Sequence, residues 1–180
     1  EEGNYTGNKA RGAAALEKLY GGVGHSTPNQ GNVIGGTEAG QMNLISGNTA
    51  YGVWLGPGST NTDVQGNLIG TDIAGTAAVG NGIGVYIENS NDNLIGGTAS
   101  GAGNVISGNT DFGIRMASDG AFGGQITNNT VQQNRIGTDI SGTMPLGNGA
   151  GIYIGAGPTS NNSIGGTASL AGNTIAFNKA

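Results

Sequence analysis

Four large side chains recur at one position of a repeated segment and form the strongest candidate binding group of this 180-residue chain. The segment reads glycine, an apolar residue, a variable residue and a second apolar residue. The variable residue is Trp54, Tyr86, Arg115 or Tyr153 in turn. If each segment is a strand, the apolar residues share one face and the variable residues share the other. An aromatic column beside an arginine can stack on sugar rings or dock a partner protein. The alternative interpretation is that the rings only shield a sheet from water.

Two aspartates, Asp72 and Asp139, form a second group of residues with possible chemistry. Each ends a Gly-Thr-Asp motif and is followed by a Gly-Thr segment that runs to Asn81 or Asn148. Oxygen ligands repeated in this way could hold Ca²⁺. Calcium loops usually supply several carboxylates, however, so capping of a turn is the favoured role. Calcium is the weaker hypothesis, and no other cofactor is expected.

A short pattern, Asn-x-Ile, returns along the chain and predicts the scaffold that positions these groups. Repeats of this kind, separated by turn residues, are typical of a stacked solenoid. We expect the isoleucines to form the core and the asparagines to stack at the turns, where their amides satisfy backbone groups and one another. A ligand-binding asparagine array is the alternative. The asparagines are Asn43, Asn67, Asn104, Asn134 and Asn173, and the isoleucines are Ile45, Ile69, Ile106, Ile136 and Ile175.

Three strand types alternate in a fixed order, which predicts three strands in each coil. The first is Asn-x-Ile, the second is the segment with the variable residue, and the third is an Asn-x-Ile-Gly-Gly motif beginning at Asn32, Asn93 and Asn162. In the remaining coils Val64, and either Ile126 or Val131, take the place of the third motif. Coils marked Ser-Gly-Asn alternate with coils marked Gly-Thr-Asp, which indicates duplication of a two-coil block.

These phased repeats resemble the right-handed parallel β-helix repeats of bacterial surface and secreted proteins, an architecture that pectate lyases share. The predicted fold is therefore all-β, a right-handed parallel β-helix over residues 32–180 with three strands per coil and about five coils. The resemblance implies the fold without implying one activity, because β-helices serve as adhesins, lyases, hydrolases and phage spikes.

Residues 1–31 differ from the repeats in composition and are predicted to form an N-terminal cap. They hold three of the six basic residues and the only histidine, His25. A stretch at about 9–20 is rich in helix formers and stops at Gly21-Gly22, so we expect a short amphipathic helix that covers the first coil. A partner-binding arm is the alternative.

The polygalacturonase-like enzymes of this architecture resemble one another in four motifs: Asn-Thr-Asp, paired aspartates, Gly-His-Gly and Arg-Ile-Lys. The chain has Asn61-Thr62-Asp63 and Arg135-Ile136-Gly137, but no aspartate pair, and its only Gly-His precedes the coils. Hydrolysis needs two carboxylates facing one sugar, whereas the aspartates are spread over different turns. A polysaccharide lyase or hydrolase is therefore the alternative to a non-catalytic protein.

The charge and composition of the chain argue against some classes of partner. Charged residues make up 9% of the chain and the net charge is −5, so there is no basic stripe for nucleic acid. No apolar run is long enough to predict a membrane span, and there is no cysteine for a disulfide framework.

The main functional prediction is a non-catalytic β-solenoid segment of an extracellular or cell-surface bacterial protein, with a structural, adhesive or self-assembling role. Its expected partners are a polysaccharide or a surface protein, and an open last coil would allow end-to-end self-association. Ice binding is the third possibility, and it is disfavoured because the repeated threonines are single residues at turns. They are Thr37, Thr71, Thr98, Thr138 and Thr167.

Overall fold

The computed structural model describes residues 5–6, 21–25, 29–118 and 124–180, and within these ranges the chain forms strands and turns without a helix. Most strands belong to three sheets, called sheets A, B and C here, and strands are numbered along the chain. Sheet A contains β1 (Tyr5–Thr6), β5 (Leu44–Ile45), β9 (Leu68–Ile69), β12 (Val105–Ile106), β16 (Arg135–Ile136) and β20 (Thr174–Ile175).

Sheets B and C have five strands each. Sheet B contains β2 (Gly21–His25), β6 (Tyr51–Leu55), β10 (Ile83–Ile87), β13 (Phe112–Ala117) and β17 (Ala150–Gly155). Sheet C contains β4 (Val33–Gly35), β8 (Asp63–Gln65), β11 (Leu94–Gly96), β15 (Thr130–Gln132) and β19 (Ser163–Ile164). Two short pairs lie between sheets B and C: β3 (Asn29–Gln30) with β7 (Ser59–Thr60), and β14 (Ile126–Thr127) with β18 (Thr159–Ser160).

The named strands pair in parallel, each with the equivalent strand of the next coil. β9, for example, lies between β5 and β12, with Ile69 in register with Ile45 and Ile106. The chain visits sheets C, A and B in turn, so every coil adds one strand to each sheet. The predicted parallel β-helix with three strands per coil is confirmed. Val131, not Ile126, supplies the sheet C strand of its coil.

The interior is one apolar core made from rows of equivalent residues. Ile45, Ile69, Ile106 and Ile136 form one row and are fully buried, because each lies between its copies in adjacent coils. Ile175 ends this row and is 46% exposed, since no further coil covers it. The inward residues of sheets B and C complete the core: Val53, Leu55, Val85, Ile87, Ile114 and Met116 from sheet B, and Ile34, Val64, Ile95 and Val131 from sheet C.

The glycines at the start of the sheet B repeats are required by a close approach of two backbones. A Cβ atom on Gly84 would lie 2.6 Å from the carbonyl oxygen of Gly113 and 2.7 Å from Cγ2 of Ile106. Gly84 therefore faces the interior, as Val85 does, so strict alternation fails at this corner. As a result the residue before each glycine points outward, which places Tyr51, Ile83 and Phe112 on the outer face.

Asparagine ladders run along the corners, as predicted. Asn104 Oδ1 accepts hydrogen bonds from the backbone N–H and the side-chain amide of Asn67, at 2.9 and 3.0 Å, and Asn104 in turn donates to Asn134. The amide of Asn104 also donates to the carbonyl of Val64 at 2.8 Å. The amides are thus used within the scaffold. Two further ladders contain Asn48, Asn81, Asn109, Asn148 and Asn178, and Asn93, Asn129 and Asn162.

Long connections alternate between two corners, as expected for a duplicated two-coil block. Connections from sheet C to sheet A are long at residues 36–43, 97–104 and 165–173, and short at 66–67 and 133–134. Connections from sheet A to sheet B are long in the other coils, at 70–82 and 137–149. Insertions therefore protrude from the solenoid without disturbing its sheets.

The predicted helix at about 9–20 lies outside the described residues. The parts of residues 1–31 that are described contribute strands β1, β2 and β3, which pair with β5, β6 and β7. The boundary at residue 31 and the capping role stay predictions.

Candidate functional site

The four residues of the predicted column are neighbours on the outer side of sheet B. Tyr86 is in register with Trp54 on one side and Arg115 on the other, and Arg115 is in register with Tyr153. The strands that carry them are held by a continuous core on the opposite face, so the column sits on a rigid support.

Tyr86 lies at the centre of this group and is buried, with 3% of its surface exposed. The ring of Tyr51 lies 5.2 Å from the ring of Tyr86, and the guanidinium carbon of Arg115 lies 5.0 Å from its centroid. These contacts are an aromatic pair and a cation–π interaction. Tyr86 therefore packs the surface together, while Trp54 is half-buried and Tyr153 is 39% exposed.

Two aromatic residues that the sequence analysis missed extend the group. Tyr51 packs on Trp54 with 6.0 Å between ring centroids, and Phe112 packs on Tyr153 at 5.4 Å. Tyr51 and Phe112 each directly precede a repeated glycine. An aromatic residue at that position is therefore the sequence signal that could have identified them. We call the whole surface the aromatic face: Tyr51, Trp54, Tyr86, Phe112, Arg115 and Tyr153.

Trp54 is held by a glutamate that the repeat pattern did not single out. Its indole Nε1–H donates a 2.9 Å hydrogen bond to Oε2 of Glu88, which is only 6% exposed. A hydrogen bond to a carboxylate is stronger than one between neutral groups. This hydrogen bond therefore fixes the orientation of the indole.

Asp72 and Asp139 each close a hairpin between sheets A and B. Asp72 Oδ1 accepts from the backbone N–H groups of Thr76 and Ala77, at 2.8 and 3.0 Å. Asp139 makes the equivalent bonds to Thr143 and Met144. These bonds are the turn-capping role that the spacing favoured.

The other candidate calcium ligands, Asn81 and Asn148, belong to a ladder. Their side-chain oxygens are buried and accept hydrogen bonds from Asn48 and Asn109, respectively. Within the described ranges, no three His, Cys, Asp or Glu side chains come close enough together to hold a metal ion. Calcium binding at Asp72 and Asp139 stays a prediction.

Acidification should weaken the hairpin that Asp139 closes. The Ser141 hydroxyl and the Met144 backbone N–H lower the pKa of Asp139 below 3.8. This carboxylate therefore stabilises the fold above pH 3.8, and the contribution is lost as the pH falls through the lower folded-state pKa. We expect Asp139→Asn to lower the urea midpoint at pH 6, with the difference from the parent shrinking below pH 3.8.

Asp63 supplies a control of opposite sign for that measurement. Burial raises the pKa of Asp63, so its charged form opposes folding and the penalty disappears on protonation. Asp63→Asn should raise the urea midpoint at pH 6 and lose this advantage in acid. Equal pH profiles for the two variants would contradict both assignments.

The aspartates of the coils, which would have to supply the carboxylates for sugar hydrolysis, lie on separate elements. Asp63 is on β8 of sheet C, Asp72 and Asp139 are in hairpins, and Asp111 precedes β13; Asp119 lies outside the described residues. Of the threonines considered for ice binding, Thr71 and Thr138 are fully buried.

The fold and the aromatic face define a parallel β-solenoid with a packed aromatic surface on one sheet. No protein family, curated protein or solved structure shows a significant match to the chain. In the described part of the chain, no helix has the length and apolar character needed to cross a membrane.

Proposed function

We propose that this chain is a non-catalytic scaffold segment of an extracellular or cell-surface bacterial protein that holds a glycan on its aromatic face. The observation that carries the proposal is the contact network of five aromatic rings and one arginine on the outside of a single sheet. The location rests on the resemblance to the β-helix repeats of surface and secreted proteins.

A glycan suits the aromatic face because this surface has an accessible aromatic ring at each end, an indole at one and a phenol at the other. Trp54 offers a half-buried indole fixed by Glu88, and Tyr153 offers an exposed phenol ring. Flat rings of this kind stack on the C–H faces of sugars, and the half-buried guanidinium of Arg115 between them can donate to sugar oxygens. Rings that are already packed lose little conformational entropy on binding.

Truncation of the two accessible rings tests the glycan proposal. The chain should retain polysaccharides on a glycan array and in pull-downs with insoluble cell-wall polymers. Trp54→Ala and Tyr153→Ala should each weaken retention at least tenfold, since each removes a stacking platform. The matched control is Phe177→Ala, because Phe177 is 53% exposed but lies after sheet A, and it should leave retention unchanged.

Three results would count against the proposal. Retention that survives both truncations would place any glycan site elsewhere, and equal loss in Phe177→Ala would indicate non-specific adhesion. Release of soluble sugar products from the polymers would contradict the non-catalytic assignment. Tyr86 is unsuitable for this test because its replacement would also remove the centre of the packing.

A further inference from the structure

At two places beside sheet A a short connection leaves a gap between the long connections of the adjacent coils, and we call each gap a notch. The two notches differ, although the two-coil block that forms them is duplicated. Each lies where a short connection, 66–67 or 133–134, is flanked by long connections of the neighbouring coils. The first notch has Gly66 and Leu68 at its floor. The second has Gln133 and Arg135 at the equivalent positions. The first notch is therefore an internal reference for the second.

The first notch is closed and apolar. The backbone N–H of Gly66 donates to the carbonyl of Ala102 at 3.0 Å, and a Cβ atom on Gly101 would lie 2.8 Å from the carbonyl oxygen of Thr37. The flanking connections thus touch each other. Leu68 is 3% exposed and packs with its sheet neighbours Leu44 and Val105. The Leu68 side chain and the touching connections therefore fill this notch.

The second notch is an open cavity of about 300 Å³ that is lined by Arg135, Gln133, Gly103, Leu170 and Thr174, among others. Its outer wall carries Leu170 at the place of Gly101. Leu170 keeps a φ of 65°, a left-handed conformation that is uncommon for residues other than glycine, and it is 53% exposed. A bulky apolar side chain therefore stands beside the cavity where the first notch has none.

Hydrogen-bond donors dominate the polar lining of this cavity. The carbonyl oxygen of the Gln133 side chain accepts the backbone N–H of Gly103 at 2.9 Å, which leaves its NH₂ group as a donor. The guanidinium of Arg135 has no hydrogen-bond or ion-pair partner among the described residues. The exposed hydroxyl of Thr174 adjoins them, and the lining contains no acidic residue.

We propose that this cavity binds the carboxylate of a small organic acid, with Arg135 as the main contact. The planar guanidinium matches a carboxylate with two parallel hydrogen bonds. Leu170 can cover the organic part of the ligand, which favours an organic acid over an inorganic anion. The site is on sheet A, so it is independent of the glycan proposal for sheet B.

Titration of the ¹⁵N-labelled chain with butyrate, followed by NMR, tests the site. Butyramide is the uncharged analogue, and inorganic phosphate is an anion without an organic part. Butyrate should produce saturable shifts at Nε–H of Arg135 and at the backbone amides of Gly103, Gly172 and Thr174. Butyramide and phosphate should bind at least tenfold more weakly.

Comparison of the two copies of the duplicated block suggests which substitution to make at Arg135. Arg135→Leu copies Leu68 at the equivalent position, so it should fold and lose at least tenfold in butyrate affinity. Lys179→Gln removes a positive charge elsewhere and should leave affinity unchanged. Should Arg135→Leu prove unstable, Arg135→Gln removes the charge while keeping a polar side chain. The proposal is overturned by absence of saturable shifts, by full affinity without Arg135, or by equal or tighter binding of butyramide or phosphate.

Discussion

Replacing Ile106 by Asp is expected to give the largest loss of stability of any single change in the core. Ile106 is fully buried in the core row of sheet A, in register with Ile69 and Ile136. A carboxylate at this place would have apolar neighbours on every side and no partner for its charge. The expected loss in free energy of unfolding exceeds about 4 kcal/mol. Urea unfolding followed by far-UV circular dichroism and Trp54 fluorescence would measure it.

The same change at the end of the row is the matched control. Ile175 is in register with Ile136 but is 46% exposed, so an aspartate there keeps its water. Ile175→Asp should change the free energy of unfolding by no more than about 1 kcal/mol. Equal urea midpoints for Ile106→Asp and the parent protein would contradict the stacking of coils described above.

Replacing Asn104 by Leu is expected to give the second large loss of stability. Leucine has a similar volume but cannot accept the two hydrogen bonds from Asn67 or donate to Val64 and Asn134. Asn104 is fully buried, so water cannot replace these bonds. Each buried group left without a partner costs about 1–3 kcal/mol, and we expect a total above about 3 kcal/mol.

Asn173→Leu tests whether this loss comes from buried polar groups or from leucine itself. Asn173 ends the same ladder and is only partly buried, so water can reach the groups that lose their partner. Its expected loss is less than half that of Asn104→Leu in the same urea experiment. Similar losses at both positions would show that the ladder stabilises the chain through something other than its buried hydrogen bonds.

The aromatic face illustrates how far residue spacing predicts a surface. Parity along the strand placed Trp54 and Tyr153 on the outer side of sheet B, and the register confirms that they share a column with Tyr86 and Arg115. Parity failed for Tyr51 and Phe112, because the glycine corner turns two successive residues inward. Spacing within a strand cannot show where a backbone bends to fit its neighbour.

In the loops, too, the sequence predicted some side-chain roles and missed others. Asp72 and Asp139 were expected to cap turns, and their hydrogen bonds to backbone N–H groups lie within five residues along the chain. The sequence places Asn81 at the end of the Gly-Thr segment that follows Asp72, yet Asn81 is a buried ladder residue that contacts Asn48 and Asn109. The insertion before Asn81 hides its phase in the repeat, and only the pairing of coils restores it.

The sequence by itself determined the solenoid, since isoleucines and asparagines at a repeated phase can bury their side chains and satisfy their amides only against copies in adjacent coils. The tertiary structure alone decided which outer residues are accessible. Tyr86 is covered by Tyr51 and Arg115, whereas Arg135 is left beside an open cavity. The physical reason is that exposure on the outer faces depends on side-chain volumes and loop contacts between different coils, and these are long-range contacts that no repeat pattern encodes.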